Sequence, residues 1–293
     1  MNNSISRRSA LTRIAGSAVA VATASLARHV SAEDAAPMKL KGNINHSACR
    51  WCYKDIPLED LCVAAKEMGL KSIDLLGPKE FPAVQKHGLI CAMVNGVPGG
   101  ITSGLNRVEN HDKVLKYFES DMPKVAEAGF PNMICFPGNR KGMSYEEGME
   151  NCLVGLKPII ALAEKYNVTV CMELLNSRHD HHDYMCDHSA WGVELCKRAG
   201  SERFKLLYDI YHMQIMEGDI IATIKENHKY FAHFHTGGIP GRHEIDNTQE
   251  LYYPAVMRAI VETGFKGYVA QEFVPTKKNP LDSLRECVAI CDV

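Results

Sequence analysis

The chain has no run of basic residues, no low-complexity tract and no Pro/Gly/Ser-rich linker dividing its interior. With a formal charge of −2 and no basic patch in the sequence, it lacks the electrostatic footprint of a nucleic-acid binder. No G-x-G-x-x-G follows the first strand-like stretch, which removes the fingerprint of a dinucleotide-binding fold. Cys49-Arg50-Trp51-Cys52 is formally a CxxC, but no second pair accompanies it, so a closed zinc site lacks half its ligands. The other cysteines do not read as a disulfide framework. Cys91, Cys135 and Cys171 sit in apolar strand-like runs, whereas Cys62, Cys152, Cys196, Cys287 and Cys291 fall in amphipathic helical patterns, where Cys packs as a small hydrophobe. The odd total of 11 leaves an occasional disulfide open. No Cys follows the N-terminal apolar run at 14–26, which removes lipidation, and that run is too short to span a bilayer.

What the N-terminus does contain is an address. Ser6-Arg7-Arg8-Ser9-Ala10-Leu11 is a twin-arginine pattern, the apolar run follows, and Val30-Ser31-Ala32 closes it as a small-residue cleavage site. The expected organisation is a twin-arginine signal peptide at 1–32, a linker at 33–41 and one folded domain at 42–293. The expected location is periplasmic or otherwise exported, with no stable membrane anchor. Removing the signal takes away four Arg and no acidic residue, so the mature chain is more acidic than the whole. A small molecule is the expected partner, and a homo-oligomer is left open.

Beyond the linker, strand and helix patterns alternate with a period of roughly 30 residues. Strands are expected at 43–48, 72–76, 89–94, 132–136, 169–175, 204–209, 231–235 and 268–273. Helices are expected at 58–68, 81–86, 110–128, 145–166, 190–198, 219–227, 254–262 and 281–290. Eight of each over about 250 residues fit a single α/β (β/α)8 TIM barrel better than a doubly wound sheet.

The stretch Phe231-Ala232-His233-Phe234-His235 places two imidazoles on one face of a strand, where a core strand would carry Val or Leu. In a barrel, chemistry sits at the C-terminal ends of the strands. Glu173, Asp209, His235 and Glu272 fall at the ends of strands five to eight, which brings three carboxylates and an imidazole onto one arc of the mouth. Crowded carboxylates repel and lose solvation, and a divalent cation resolves both problems. The oxygen-rich set points to Mg2+ or Mn2+. The other reading of these residues is separate ion pairs with helix lysines.

Five pieces carry a resemblance: Asp74-Leu75-Leu76-Gly77-Pro78, Glu173-Leu174-Leu175-Asn176, Asp209-Ile210-Tyr211-His212, Pro240-Gly241-Arg242-His243-Glu244 and Gln271-Glu272-Phe273. On these the chain resembles the xylose isomerase-like barrels, and within them the hydroxypyruvate isomerase branch of sugar isomerases and epimerases. The resemblance implies a metal held by Glu173, Asp209, His235 and Glu272. It implies that the two catalytic glutamates exchange a proton with adjacent carbons, and that His212 and Arg242 bind substrate. His235 stands where that branch carries Gln and matches the ketose epimerases, so both substrate classes stay open.

The chemistry agrees with such a role. Moving a carbonyl to a neighbouring carbon, or inverting a centre beside it, needs a base for the α-proton and an electrophile for the developing oxyanion. Arg242 would clamp a substrate carboxylate or hydroxyls, or else form a loop salt bridge; His212 would polarise an oxygen, or else simply pack. Asn176 would hold a hydroxyl or orient Glu173. His46, Arg50 and Trp51 are expected around the mouth, with Trp51 stacking on a sugar face. His179-Asp180-His181-His182-Asp183 reads as a solvated lid rather than a second metal site. Three functions compete: a metal-dependent isomerase or epimerase of a small hydroxy-carbonyl compound or sugar, a metal-assisted hydrolase like the apurinic endonucleases, and a non-catalytic sugar-binding barrel.

Overall fold

Parallel strands joined by helices either splay into an open sheet or close on themselves, and here they close. The computed structural model describes residues 38–293; the twin-arginine pattern, the apolar run and the expected cleavage site lie outside the described residues. Seven strands, β1 (Asn45–Cys49), β2 (Ser72–Asp74), β3 (Asn132–Cys135), β4 (Thr169–Leu174), β5 (Phe204–Asp209), β6 (Phe231–Thr236) and β7 (Tyr268–Gln271), run in the order β2-β1-β7-β6-β5-β4-β3. Every pairing among them is parallel.

The two outer strands are joined by the stretch expected as a strand at 89–94. Ser72 bridges Ile90, Leu76 bridges Val94, and Val94 bridges Met133, all in parallel sense. This stave completes the (β/α)8 barrel, but its ladder is interrupted for a chemical reason. The Ala92 N–H donates to Ser72 Oγ at 2.7 Å and Asp74 Oδ1 at 3.2 Å, and its carbonyl accepts from Asn132 Nδ2 at 2.8 Å. Side chains have taken the groups that a regular ladder would use.

Nine α-helices among the described residues cover the barrel: α1 (Leu58–Glu67), α2 (Phe81–Lys86), α3 (His111–Glu127), α4 (Tyr145–Tyr166), α5 (Ser189–Ala199), α6 (Ile210–Met216), α7 (Ile220–Asn227), α8 (Tyr253–Glu262) and α9 (Pro280–Cys291). Their apolar stripes face the sheet: in α3, Val114, Phe118, Met122 and Val125 recur at helical spacing and are buried. Capping chemistry sets several ends. The Ser144 hydroxyl accepts from the Glu147 N–H at 3.1 Å to start α4, and Asn167, in the left-handed region, ends it. The short α6 was not expected from periodicity. It is started by Asp209, whose carboxylate accepts from the His212 N–H at 3.2 Å.

The described end of the expected linker lies against the barrel. Met38 N–H donates to the Glu67 carbonyl at 2.9 Å, and Lys41 N–H donates to the Asp292 carboxylate at 3.0 Å. Among the described residues no helix is long and apolar enough to cross a membrane. All 11 cysteines are unpaired thiols and most are buried, as small core residues would be.

Candidate active site

The C-terminal ends of β4 to β7 bring four side chains to one point. Glu173 lies in β4, Asp209 ends β5, His235 lies in β6 opposite Asp209, and Glu272 directly follows β7. All four are buried, and one donor atom of each lies within 4.8 Å of the others. His235 Nδ1 is 2.6 Å from Glu272 Oε2 and 3.4 Å from Glu173 Oε1. The opposite ring nitrogen, Nε2, faces the Cys49 sulfur at 3.7 Å. Two donor groups, one of them cationic, converge on the carboxylates. Arg242 Nη2 donates to Asp209 Oδ2 at 2.5 Å and also to Glu272 Oε2, and the Trp51 indole N–H donates to Glu272 Oε1 at 2.6 Å.

Their protonation is pulled apart by these neighbours. Burial pushes the Glu173 carboxyl up to about 7; His235 opposes this, while Glu272 and Asp209 add to it. Burial acts on Glu272 in the same sense, but His235 and Arg242 outweigh it and hold that carboxyl well below its ordinary range. Burial disfavours a charged His235, yet Glu272 and Glu173 raise it well above the ordinary imidazole value. The two glutamates thereby favour positive charge on the His235 ring, at the centre of the four donors. Nδ1 itself is buried without a well-aligned hydrogen-bond acceptor. A divalent cation fits there better than a proton, since it serves all four donors at once. Two further donor groupings, Cys49 with His235 and Glu272, and Asp74 with His233 and His235, adjoin this one through the His235 ring.

Beside this centre a cavity of about 270 Å3 opens, walled by Trp51, Ile101, Leu175, Asp180, His181, His212 and Arg242. His212, in α6, has Nε2 2.9 Å from Arg242 Nη1 and Nδ1 2.6 Å from the Asn176 amide nitrogen. Burial keeps its pKa well below the ordinary value, with Arg242 and His181 adding to the effect, so its imidazole is neutral. Arg242 stacks over the Tyr211 ring at 4.7 Å and adopts φ of 54°, following Gly241 in the same left-handed region. Asn176 does not turn to Glu173. Its Oδ1 accepts from the N–H groups of His179 and Asp180, and its amide nitrogen donates to Asp180 Oδ2 at 2.6 Å. It thereby folds the loop after β4 over the cavity.

The structure thus gathers Glu173, Asp209, His235, Glu272, His212, Arg242, Asn176 and Trp51 into one cluster, of which Glu173, Glu272, His212, Arg242 and Trp51 line the cavity. Trp51 meets Glu272 through its N–H, with its ring partly exposed at the rim. Two expected mouth residues lie elsewhere. His46 is fully buried on the other face of β1 from Ser47, 3.9 Å from Asp292, and burial lowers it to about 4. Arg50 turns back to the Tyr53 carbonyl. Asp180, exposed, and His181, half-buried, belong to the loop that reads as a solvated lid, and both wall the cavity. Cys49, which in the sequence reads only as half of a CxxC, reaches the site from the end of β1, the strand paired with β7.

Comparisons with known proteins agree with this fold. The family model described as xylose isomerase-like TIM barrel matches residues 63–289. A 2-oxo-tetronate isomerase of Cupriavidus necator is 34% identical over 234 residues, 76% of this chain and 89% of that protein. A putative hydroxypyruvate isomerase of Homo sapiens is 25% identical over 231 residues, 77% of each chain. Among solved structures, an AP endonuclease, family 2, of Brucella melitensis superposes with a TM-score of 0.73 at 22% identity, over 82% of this chain and 97% of that one. A 3-keto-D-glucoside 4-epimerase of E. coli does so with a TM-score of 0.71 at 18% identity, over 84% and 98%. At such identities these two structures speak for the fold alone, whereas the model match spans most of the chain. The chain belongs to the xylose isomerase-like TIM barrel family.

Proposed function

We propose that this protein is a divalent-metal-dependent isomerase of a small hydroxy-carbonyl compound, with Glu173 and Glu272 moving a proton between adjacent carbons. The observation that carries this reading is the pair of buried glutamates on either side of His235 Nδ1, within one set of four ligand-type donors. Two carboxylates placed to flank the reacting carbons are what proton transfer between those carbons requires. The names of the curated relatives support an isomerase of this substrate class.

Glu173, Asp209, His235 and Glu272 would hold the cation, and the donor set suits Mg2+ or Mn2+. When bound, it supplies positive charge that stabilises negative charge developing on the substrate oxygens. The other steps belong to the chain. Glu272, kept ionised and fixed by the Trp51 N–H, removes the proton from the carbon beside the carbonyl. Glu173, on the other side of the substrate, delivers a proton to the neighbouring carbon, the hydroxyl proton passes to the former carbonyl oxygen, and exchange with solvent resets the two carboxyls. Neutral His212 exchanges a hydrogen bond with a substrate oxygen, and Arg242 turns its guanidinium to a carboxylate or hydroxyl. Trp51, Ile101 and Leu175 keep bulk water from the reacting carbons. The cavity lies just under the roughly 300–1,000 Å3 of drug-sized sites, which suits a substrate of few carbons.

The relatives' names favour a 2-oxo acid such as hydroxypyruvate. A keto-sugar or ketose epimerase is the second reading, favoured by His235 as the fourth donor. Incubation in D2O with Mn2+ or Mg2+, followed by NMR, tests both. Metal-dependent deuterium uptake beside the carbonyl of hydroxypyruvate, a 2-oxo-tetronate or a ketose is expected. No uptake from a broad panel with metal bound would turn the reading towards hydrolysis or binding. Export by the twin-arginine route belongs to the same proposal; exported material should begin near Glu33, and a start at Met1 would contradict it.

A further inference from the structure

Beneath the four donors lies a second buried polar layer that the proposed chemistry does not use. His233 precedes His235 by two residues on β6 and shares its face. Its Nε2 lies 2.7 Å from Asp74 Oδ2, and both side chains are fully buried. The other oxygen of Asp74 accepts from Ser47 Oγ at 2.7 Å, Ser72 Oγ at 2.6 Å and the Ala92 N–H at 3.2 Å. A carboxylate with one oxygen held by three donors, and the other set against the His233 ring without a well-aligned hydrogen bond, has a single orientation. For folding alone the pair is a poor choice, because well-packed apolar residues of the same volume are often as stabilising as a buried pair of polar or charged groups.

The ring of His235 shows what the pair is for. A metal-bound histidine ordinarily donates its second N–H to a carboxylate or carbonyl, which fixes the ring. Here Nε2 meets only the Cys49 sulfur at 3.7 Å, a weak and distant partner. What restrains the ring is packing: His233 meets it nearly perpendicularly, at 86° and 5.1 Å between centroids.

We propose that Asp74 and His233 are positioning residues for the metal centre. Asp74 anchors His233, His233 is wedged against His235, and His235 is thereby held with Nδ1 towards Glu173 and Glu272. The Asp74 carboxylate also adds a negative charge one layer below the cation. This rests on the reading of Glu173, Asp209, His235 and Glu272 as a metal site.

The test is calorimetric titration of the full chain with Mn2+, together with the visible absorption of its Co2+ form. Wild type is compared with Asp74→Asn, which keeps shape and removes charge, and with His233→Leu, which keeps bulk and removes the anchor. Both variants should bind Mn2+ about 10- to 100-fold more weakly, the range for partners of metal ligands, and their Co2+ bands should shift. Unchanged affinity and spectrum in a folded variant would overturn the proposal. If Asp74→Asn does not fold, His233→Leu decides; loss of folding in both would make the pair purely structural and overturn it as well. Absence of Mn2+ and Co2+ binding by wild type would instead refute the metal site itself.

Discussion

Glu173 and Glu244 are both buried glutamates in one barrel, and their surroundings treat them in opposite ways. Glu244 lies in the loop after β6, where its carboxylate accepts from the Thr276 N–H at 2.7 Å, the Thr276 hydroxyl at 2.9 Å and the Ser283 hydroxyl at 2.5 Å. Burial alone would raise its pKa, but Ser283 and Thr276 win and bring it down to about 2. Glu173 has no such cradle. It faces His235 across 3.4 Å, with Glu272 and Asp209 close by, and rises to about 7. A carboxylate whose oxygens are claimed by fixed donors is finished as a structural element. One left among like charges is completed only by something that arrives, whether proton, cation or substrate.

The severest way to break this contrast is at the unfinished end. Glu272→Gln keeps the size of the side chain but removes the base, and general acid–base catalysis contributes about 10^2–10^4-fold. Deuterium exchange followed by NMR should fall by about 10^3-fold or more, with the circular dichroism spectrum unchanged. Retained exchange would sink the two-glutamate scheme.

Acidity sharpens the same point. A divalent cation at these donors competes with protons on Glu173 and His235, both of which hold a proton more tightly than their ordinary values imply. Mn2+ affinity should therefore weaken as pH falls below about 7, by about ten- to a hundredfold per unit according to whether one or two protons are displaced. In the metal-free protein the sign for Glu173 is the reverse of the usual carboxylate. Its raised pKa favours the fold below 4.5, and that contribution is lost as pH rises from 4.5 towards about 7. Calorimetric titration and thermal melts across pH 5–8 check both. A flat metal affinity over that span would remove Glu173 and His235 from the ligand set.

A smaller effect is expected at the rim. Trp51→Phe keeps an aromatic wall but removes the N–H that donates to Glu272. Loss of a charge-assisted hydrogen bond of about 1.5–3 kcal/mol corresponds to roughly 10- to 100-fold. It should appear in kcat, with KM changing little. A change in KM alone would instead mark Trp51 as a substrate-stacking surface.

How far the sequence reveals these contrasts depends on the range of the interactions that create them. Local alternation and strand ends are enough to place Glu173, Asp209, His235 and Glu272 on one arc, because closure of parallel strands follows from the βα repeat itself. The stave at Ile90–Val94 has a regular apolar pattern. Its broken ladder arises from Ser72, Asp74 and Asn132, distant in sequence from Ala92. The helix α6 is too short for periodicity to register and exists because Asp209 caps it. His46 is misleading for another reason. Strand alternation does separate it from Ser47, but nothing local says which face looks inward. The loop 179–183 is polar and reads as solvated; only the Asn176 side chain, folding back on His179 and Asp180, turns Asp180 and His181 into cavity wall.

The gentlest test lies at the finished end. In Glu244→Gln an amide replaces a carboxylate that accepts from three donors, and only one amide oxygen can still accept. The expected loss is about 1–3 kcal/mol of stability, the cost of leaving a buried donor without a partner. It should be read as a shift of the urea midpoint at neutral pH. The sign with pH opposes that of Glu173. The depressed pKa of Glu244 stabilises the fold above 4.5, and that stabilisation fades as pH falls from 4.5 towards about 2. The difference between wild type and Glu244→Gln should therefore shrink in acid. Mn2+ affinity should be the same in both proteins, because the Glu244 cradle is closed on itself. A variant that lost metal affinity without losing stability would show that the loop carrying Arg242 transmits Glu244 to the site, and the division between finished and unfinished carboxylates would fail.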